Sequence, residues 1–393
     1  MLQGRDIIYM AGHDYGLNDS RISTDHLAHH LAAANRVLYV ESVGLRTPRL
    51  DANDLSRIRR KLARFLRQPR RMDERLWVMT PFAVPLHHNR LVDALNRTLL
   101  TTQIRRSAAY LGFEAPIAFV FLPSMGSVIG RLGESVSVYY CTDEHAAFPD
   151  VDSEFIRRSE EALLRRVDVV FGTSREIVRN KSRLHSNVHY SPHGVDFDPF
   201  ARAQDADLAT PSDVAGLTHP IVGYFGAIDT WLDLELIEAL ARERPEWNFL
   251  LIGKQAVDTS GLSALPNVTF LGARPFAELP AYGRLFDVAL IPFRISDLTN
   301  SVEPVKLREY LAMGKPVVST ALPSIVDIAA ETGLVSCARD RTEFLALVES
   351  ALASDSPELI AARQDSVRPH SWKRRTARVG ETIERFIATR RDI

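Results

Sequence analysis

Two cysteines in 393 residues, Cys141 and Cys337, are too few for a disulfide framework or a thiolate zinc cluster, and they favour a reducing compartment. No stretch approaches the roughly 20 apolar residues that a membrane-spanning helix needs, and the apolar run from Ile7 to Gly12 is too short for a secretory signal. Charge of neither sign dominates, since the formal net charge is −1, and no nucleic-acid-binding motif accompanies the basic residues. Nucleic acid is therefore not an expected partner. Internal repeats and low-complexity tracts are missing as well, which argues against a solenoid. What remains is a globular chain, expected in the cytoplasm, with 46% hydrophobic and 25% charged residues. It is too long for one core, so two domains are expected.

The basic residues are unevenly spread. Residues 46 to 75 hold eleven lysines or arginines against four acids. Leu55, Ile58, Leu62, Phe65 and Leu66 recur there on one helical face, and Arg57, Arg60, Lys61, Arg64 and Arg67 occupy the rest. Such a helix suits peripheral contact with an anionic membrane, at the inner face of the cell membrane for a cytoplasmic protein. The same pattern also fits a helix packed on its own domain with a solvated basic face.

Strand-like runs alternate with helical patterns. The first series is Ile7 to Gly12, Arg36 to Glu41, Trp77 to Pro81, Ile117 to Leu122, Val136 to Cys141, Val169 to Thr173 and Val188 to Ser191. The second is Ile221 to Phe225, Phe249 to Ile252, Val268 to Leu271, Val288 to Pro292 and Val317 to Ser319. Between them, residues 201–219 lack a period and read as a linker. The alternation predicts an α/β protein of two Rossmann-like domains, over residues 1–200 and 220–370, with a final helix over 371–393.

The most informative run is Asn300-Ser-Val-Glu-Pro-Val-Lys-Leu-Arg-Glu-Tyr-Leu-Ala-Met-Gly-Lys-Pro-Val-Val318. Pro304 fits a first helical turn, Leu307, Tyr310 and Leu311 follow at helical spacing, and Gly314 with Pro316 ends the helix before a strand. Free N–H groups at about Val302 to Val305, with Lys306 one step inside, would make a diphosphate seat. Glu309 lies at i+3 from Lys306 on the same face, where a carboxylate suits a ribose diol.

This run resembles the donor-site signature of GT-B glycosyltransferases, especially family 4, in which Glu309 takes the ribose-binding slot. Many members carry a second glutamate eight positions earlier. Ser301 stands there in this chain, and Glu303 is the nearest carboxylate for contact with the donor sugar. The Pro-x-Lys-x-x-Glu-Tyr variant is similar to a subgroup acting in polysaccharide and cell-envelope assembly, with the lysine at the diphosphate. In the loop Gly223-Tyr-Phe-Gly-Ala227, Gly226 is a candidate phosphate contact, but Asp229 and Asp233 follow where the family often has arginine and lysine. That leaves charge neutralisation to Lys306 or to Lys254. By the family order Arg274 would border the nucleotide base, and His193 and Gly194 of His193-Gly-Val-Asp196 would form a turn facing an interdomain cleft. Ser371-Trp-Lys373 would open a closing helix that crosses back to the first domain.

The resemblance implies a sugar moved from a nucleotide-diphosphate donor to a carbohydrate or lipid-linked acceptor, with retained anomeric configuration. Ser301, Val305, Lys306 and Glu309 would line the donor. No metal or other cofactor is expected, because the helix dipole and Lys306 can offset leaving-group charge. In the first half, Asp143 and His145 follow the run Tyr139-Tyr-Cys-Thr and are candidates for proton transfer or support of an oxocarbenium-like centre. Gly12 opens a loop that would touch the acceptor, and His26, His29 and His30 mark a histidine-bearing helix on that side rather than a metal site. Two other classes fit the same sequence. One is a nucleotide-sugar 2-epimerase of the same fold. The other is a non-catalytic GT-B partner protein, consistent with Ser301 and with the missing basic pair after Gly226.

Overall fold

The computed structural model describes residues 2–16, 23–43, 68–84, 90–149 and 151–391, which form two compact units. The first comprises residues up to Pro192 together with Arg375 onward; the second is His193–Arg374. The expected basic helix over residues 55–67 lies outside the described residues.

The first unit is built on β1 (Asp6–Met10), β2 (Arg36–Val40), β3 (Arg70–Asp73), β4 (Leu76–Met79), β5 (Ile117–Val120), β6 (Val136–Cys141), β7 (Val169–Gly172) and β8 (Val188–Tyr190). They pair in the order β3-β4-β2-β1-β5-β6-β7-β8, all parallel except β3. Both faces are covered, so the strands are apolar almost throughout. Alternate residues enter opposite cores: Ile7, Tyr9 and Phe119 join one cluster, and Ile8, Met10 and Val120 the other. The helices of this unit include α1 (Ser23–Ala32), α2 (Arg90–Tyr110), α3 (Ser153–Leu164) and α4 (Arg175–Lys181). Asp152 starts α3 by accepting the Glu154 and Phe155 N–H groups, as an N-cap should.

The second unit contains β9 (Ile221–Phe225), α5 (Leu234–Glu243), β10 (Asn248–Ile252), β11 (Val268–Gly272), β12 (Val288–Ile291), α6 (Val305–Ala312), β13 (Val317–Thr320), α7 (Pro323–Thr332), β14 (Val335–Ala338), α8 (Arg341–Ser354) and α9 (Pro357–Val367). Its sheet is wholly parallel, in the order β11-β10-β9-β12-β13-β14. Chain order reverses between β9 and β12, the switch point where open α/β sheets bind ligands beyond their carboxyl ends. The last helix, α10 (Trp372–Arg391), buries Val379 and Ile383 in the core of the first unit. In that unit Arg5 also holds Glu384 through two hydrogen bonds.

Residues 201–219 do not behave as a linker. The second unit begins at His193, and Phe200, Ala203 and Val214 are buried in its core. Gln204 donates to the Met313 carbonyl at 2.6 Å, and Asp213 pairs with Arg274 at 2.8 Å. Two strands escape the sequence pattern for a physical reason. β3 is fully exposed and charged, as an edge strand is, and β14 is a four-residue edge with only its ends buried.

Candidate functional site

The site in the second unit is assembled where β9 and β12 end. Gly226 follows β9 at φ +137°, and a Cβ there would stand 2.8 Å from Lys306 Cε and 3.0 Å from the Tyr224 hydroxyl. Gly253, after β10, is closer still, because a Cβ would lie 1.8 Å from the Gly226 carbonyl oxygen. These two positions need glycine so that backbone and lysine can approach. Gly223 has a different reason: a Cβ on it would overlap the Phe286 ring.

Helix α6 is held over this edge by Tyr310, a fully buried residue whose hydroxyl accepts the Phe225 N–H at 2.9 Å and whose ring meets Phe225 edge-on at 4.6 Å. Pro304 precedes the helix without a side-chain cap, and its carbonyl takes the Leu307 N–H at 3.1 Å, so among the described residues the Val305 and Lys306 N–H groups are the ones left for another acceptor. Lys306 then projects between two aromatic rings, with Nζ 4.8 Å from the Phe293 centroid and 5.3 Å from that of Tyr224. Cation–π attraction holds the ammonium without consuming its hydrogen bonds. Among the described residues no hydrogen bond or ion pair reaches Lys306.

Glu309 is 8% exposed, and its carboxylate likewise has no hydrogen-bond partner among the described residues. Burial pushes it up to about 7, an effect that Lys306 opposes and Asp196 reinforces. Burial brings Lys306 down to about 8, with Glu309 opposing. Burial thus disfavours both charges at one place, each short of partners, a setting that favours a ligand bringing hydroxyls and negative charge.

Other expected donor contacts fall around this pair in different ways. Val305 is the first residue of α6, and Ser301 is buried at the end of the turn Asp297–Asn300. Glu303 is 2% exposed and ion-paired with buried Arg308, so its carboxylate holds the approach to α6. Arg274 donates to Asp213, Tyr282 and the Leu271 carbonyl, which makes it a tie across the second unit. Asp233 caps α5 through the Leu236 N–H, and that accounts for an acid where a basic residue was expected. Lys254 is exposed.

The His193-to-Asp196 turn belongs to the second unit, not the first. Gly194 lets Trp372 close upon it, since a Cβ would stand 2.6 Å from the Trp372 ring, and His193 meets that ring edge-on at 6.3 Å. Its contribution to the site is Asp196, whose charge reaches Glu309.

In the first unit, Asp143 and His145 follow β6. His145 is buried, and its Nε2 donates to the Phe121 carbonyl at 3.1 Å, so Nδ1 is the unprotonated nitrogen. That nitrogen has no hydrogen-bond partner among the described residues. Burial lowers the pKa of the ring against the pull of Asp143, and the imidazole stays neutral. Asp143, half-buried beside it, makes no side-chain hydrogen bond among the described residues. Beneath this loop runs a network absent from the sequence reading. Lys181 bonds Glu144 at 3.0 Å and Glu160 at 2.8 Å, and Glu160 accepts the Tyr139 hydroxyl at 2.6 Å. Gly12 makes ordinary contact with Leu122 and has no positive φ, so nothing in its own geometry demands glycine. The next residue, His13, is held by Asp25 at 2.9 Å and Tyr39 at 3.1 Å. His26 is buried in α1, and the rings of His29 and His30 meet edge-on.

Residues 219–354 match the family of group 1 glycosyl transferases. A Bacillus subtilis (strain 168) protein, TuaH, whose name assigns it to teichuronic acid biosynthesis as a glycosyltransferase, is 29% identical over 253 residues. That match spans 60% of this chain and 63% of the relative's length. Among solved structures, sucrose-phosphate synthase from Thermosynechococcus elongatus superposes with a TM-score of 0.71 at 18% identity, covering 98% of this chain and 100% of that one. The Anabaena protein HepE in complex with UDP gives 0.66 at 13% identity, covering 97% and 99%. The chain has the GT-B fold of these structures, and its residues 219–354 match the family of group 1 glycosyl transferases.

Proposed function

We propose that the protein is a glycosyltransferase that moves a sugar from a nucleoside-diphosphate donor to a carbohydrate or lipid-linked acceptor in the assembly of a cell-envelope polysaccharide. The observation that carries this reading is the Lys306 and Glu309 pair at the switch point of the second sheet. Both groups are withdrawn from water, neither has a hydrogen-bond partner among the described residues, and both lie within the matched family region. The donor's diphosphate meets Lys306 and the uncapped first turn of α6, while Glu309 accepts the ribose hydroxyls. As the glycosidic bond to the donor breaks, negative charge grows on the leaving diphosphate. Lys306 and the helix terminus stabilise it without a metal ion.

In the first unit, the free Nδ1 of His145 and the carboxylate of Asp143 are the groups able to take the acceptor's proton or to support positive charge at the sugar. Retention of the anomeric configuration is the stereochemical outcome we assign. The placing in envelope assembly is drawn from the teichuronic acid relative, and the nucleotide donor from the neighbours solved with UDP or UDP-2-fluoro glucose. Incubation with UDP-, GDP- and dTDP-sugars, with and without candidate acceptors, tests this. Nucleotide release that depends on an acceptor supports a transferase. Interconversion of the donor sugar with no acceptor present would show an epimerase, and nucleotide binding without turnover a non-catalytic partner.

A further inference from the structure

A second cluster of basic groups stands apart from the donor seat, in the first unit. Arg97, Thr101 and Arg105 recur every fourth residue along α2 and so share one face, with about 6 Å of helix rise between neighbours. Facing them is the loop Gly130–Gly133, whose glycines adopt φ values of +82° and +74° and which contributes Arg131. Together they line a pocket of about 510 Å³, completed by Thr98 and Thr102.

Unpaired charge around a concave wall distinguishes it from an ordinary basic face. None of the three guanidinium groups has a hydrogen-bond or ion-pair partner among the described residues. The Thr101 hydroxyl lies buried behind the same wall, with no hydrogen-bond partner among the described residues. The nearby carboxylate, Glu134, is spent on the backbone N–H groups of Gly130 and Leu132, so it organises the loop and does not pair with an arginine side chain. Three forked cations around one pocket offer the donors that a phosphate group accepts.

We propose that this pocket binds the phosphate or diphosphate group of a phosphorylated ligand, independently of the donor site. The group would come either from a soluble phosphorylated compound or from a lipid headgroup, and the chemistry recognised is the same.

Calorimetric titration with inorganic pyrophosphate at low salt separates this pocket from the donor seat. The parent protein should show two sites, Lys306→Ala should keep the pocket's site, and an Arg97→Gln/Arg131→Gln variant should keep only the donor's. The pocket's affinity should fall about ten- to a hundredfold in the double glutamine variant. The three arginines lie outside both cores, so an unchanged melting temperature is expected and serves as the folding control. Sedimentation with phosphatidylglycerol vesicles distinguishes the sources. Binding by the parent that the double variant loses assigns the ligand to a headgroup, whereas pyrophosphate binding alone assigns it to a soluble compound. Unaltered affinity of the double glutamine variant for pyrophosphate, or a single site in the parent that Lys306→Ala abolishes, overturns the proposal.

Discussion

Replacing Glu303 with glutamine separates two roles that the sequence alone does not. Glu303 and Arg308 are side chains 1% and 6% exposed, joined as an ion pair at the entrance to α6. Removing the charge of one member leaves the other buried and uncompensated, which costs about 3–5 kcal/mol in comparable pairs. Glutamine keeps one accepting oxygen, so the lower part of that range is expected. For a unit of this size, about 1 kcal/mol corresponds to roughly 2–4 °C, and the melting transition should fall by roughly 6–12 °C. A second variant, Glu303→Leu with Arg308→Met, removes both charges at similar volume and should recover much of the loss. Differential scanning calorimetry gives the stability, and turnover below the transition gives the chemistry. A large stability loss is expected, with turnover per folded molecule changed by no more than a few-fold. A Glu303→Gln protein as stable as the parent but devoid of turnover would refute the structural role and return Glu303 to the donor sugar.

Nucleoside-diphosphate affinity should be highest between about pH 7 and 8. Below about 7 Glu309 carries a proton and accepts less from the ribose, and above about 8 Lys306 loses the charge that meets the diphosphate. Glu309→Gln should flatten the acid limb of a binding profile and Lys306→Ala the alkaline limb. Gly226→Ala should weaken binding at least tenfold, because its Cβ meets Lys306 Cε at 2.8 Å in a backbone conformation that alanine resists. Lys181→Met should destabilise the first unit by about 3–5 kcal/mol, seen by urea unfolding, since Glu144 and Glu160 lose their shared cation. His145→Gln should lower turnover by about a hundredfold with donor affinity unchanged, as measured by steady-state kinetics beside nucleotide titration.

The sequence made the architecture legible because parallel strands covered on both faces are continuous apolar runs. Each expected strand has a counterpart in the sheets, and the omissions are the edges β3 and β14, where burial no longer writes the pattern. Within the site, Lys306 and Glu309 were readable from their i, i+3 spacing after Pro304. Glu303 was not, because the same string offers no sign that Arg308 turns back upon it. Tyr224 and Phe293, which flank Lys306, look like ordinary strand-end core residues. Glycines carried the least information: Gly223, Gly226 and Gly194 admit a phenylalanine, a lysine and a tryptophan, and only the folded chain tells which. The buried link from Lys181 to Glu160 joins helices α4 and α3, a contact no local spacing encodes.

The most direct test of the donor seat is calorimetric titration of UDP, GDP and dTDP, each beside its parent nucleoside, into the protein and its Lys306→Ala variant. A charged hydrogen bond contributes roughly 1.5–3 kcal/mol, so the variant should bind the preferred diphosphate about ten- to a hundredfold more weakly while nucleoside affinity stays nearly unchanged. Equal diphosphate affinity in the two proteins, or no binding of any diphosphate to the parent, would contradict the account.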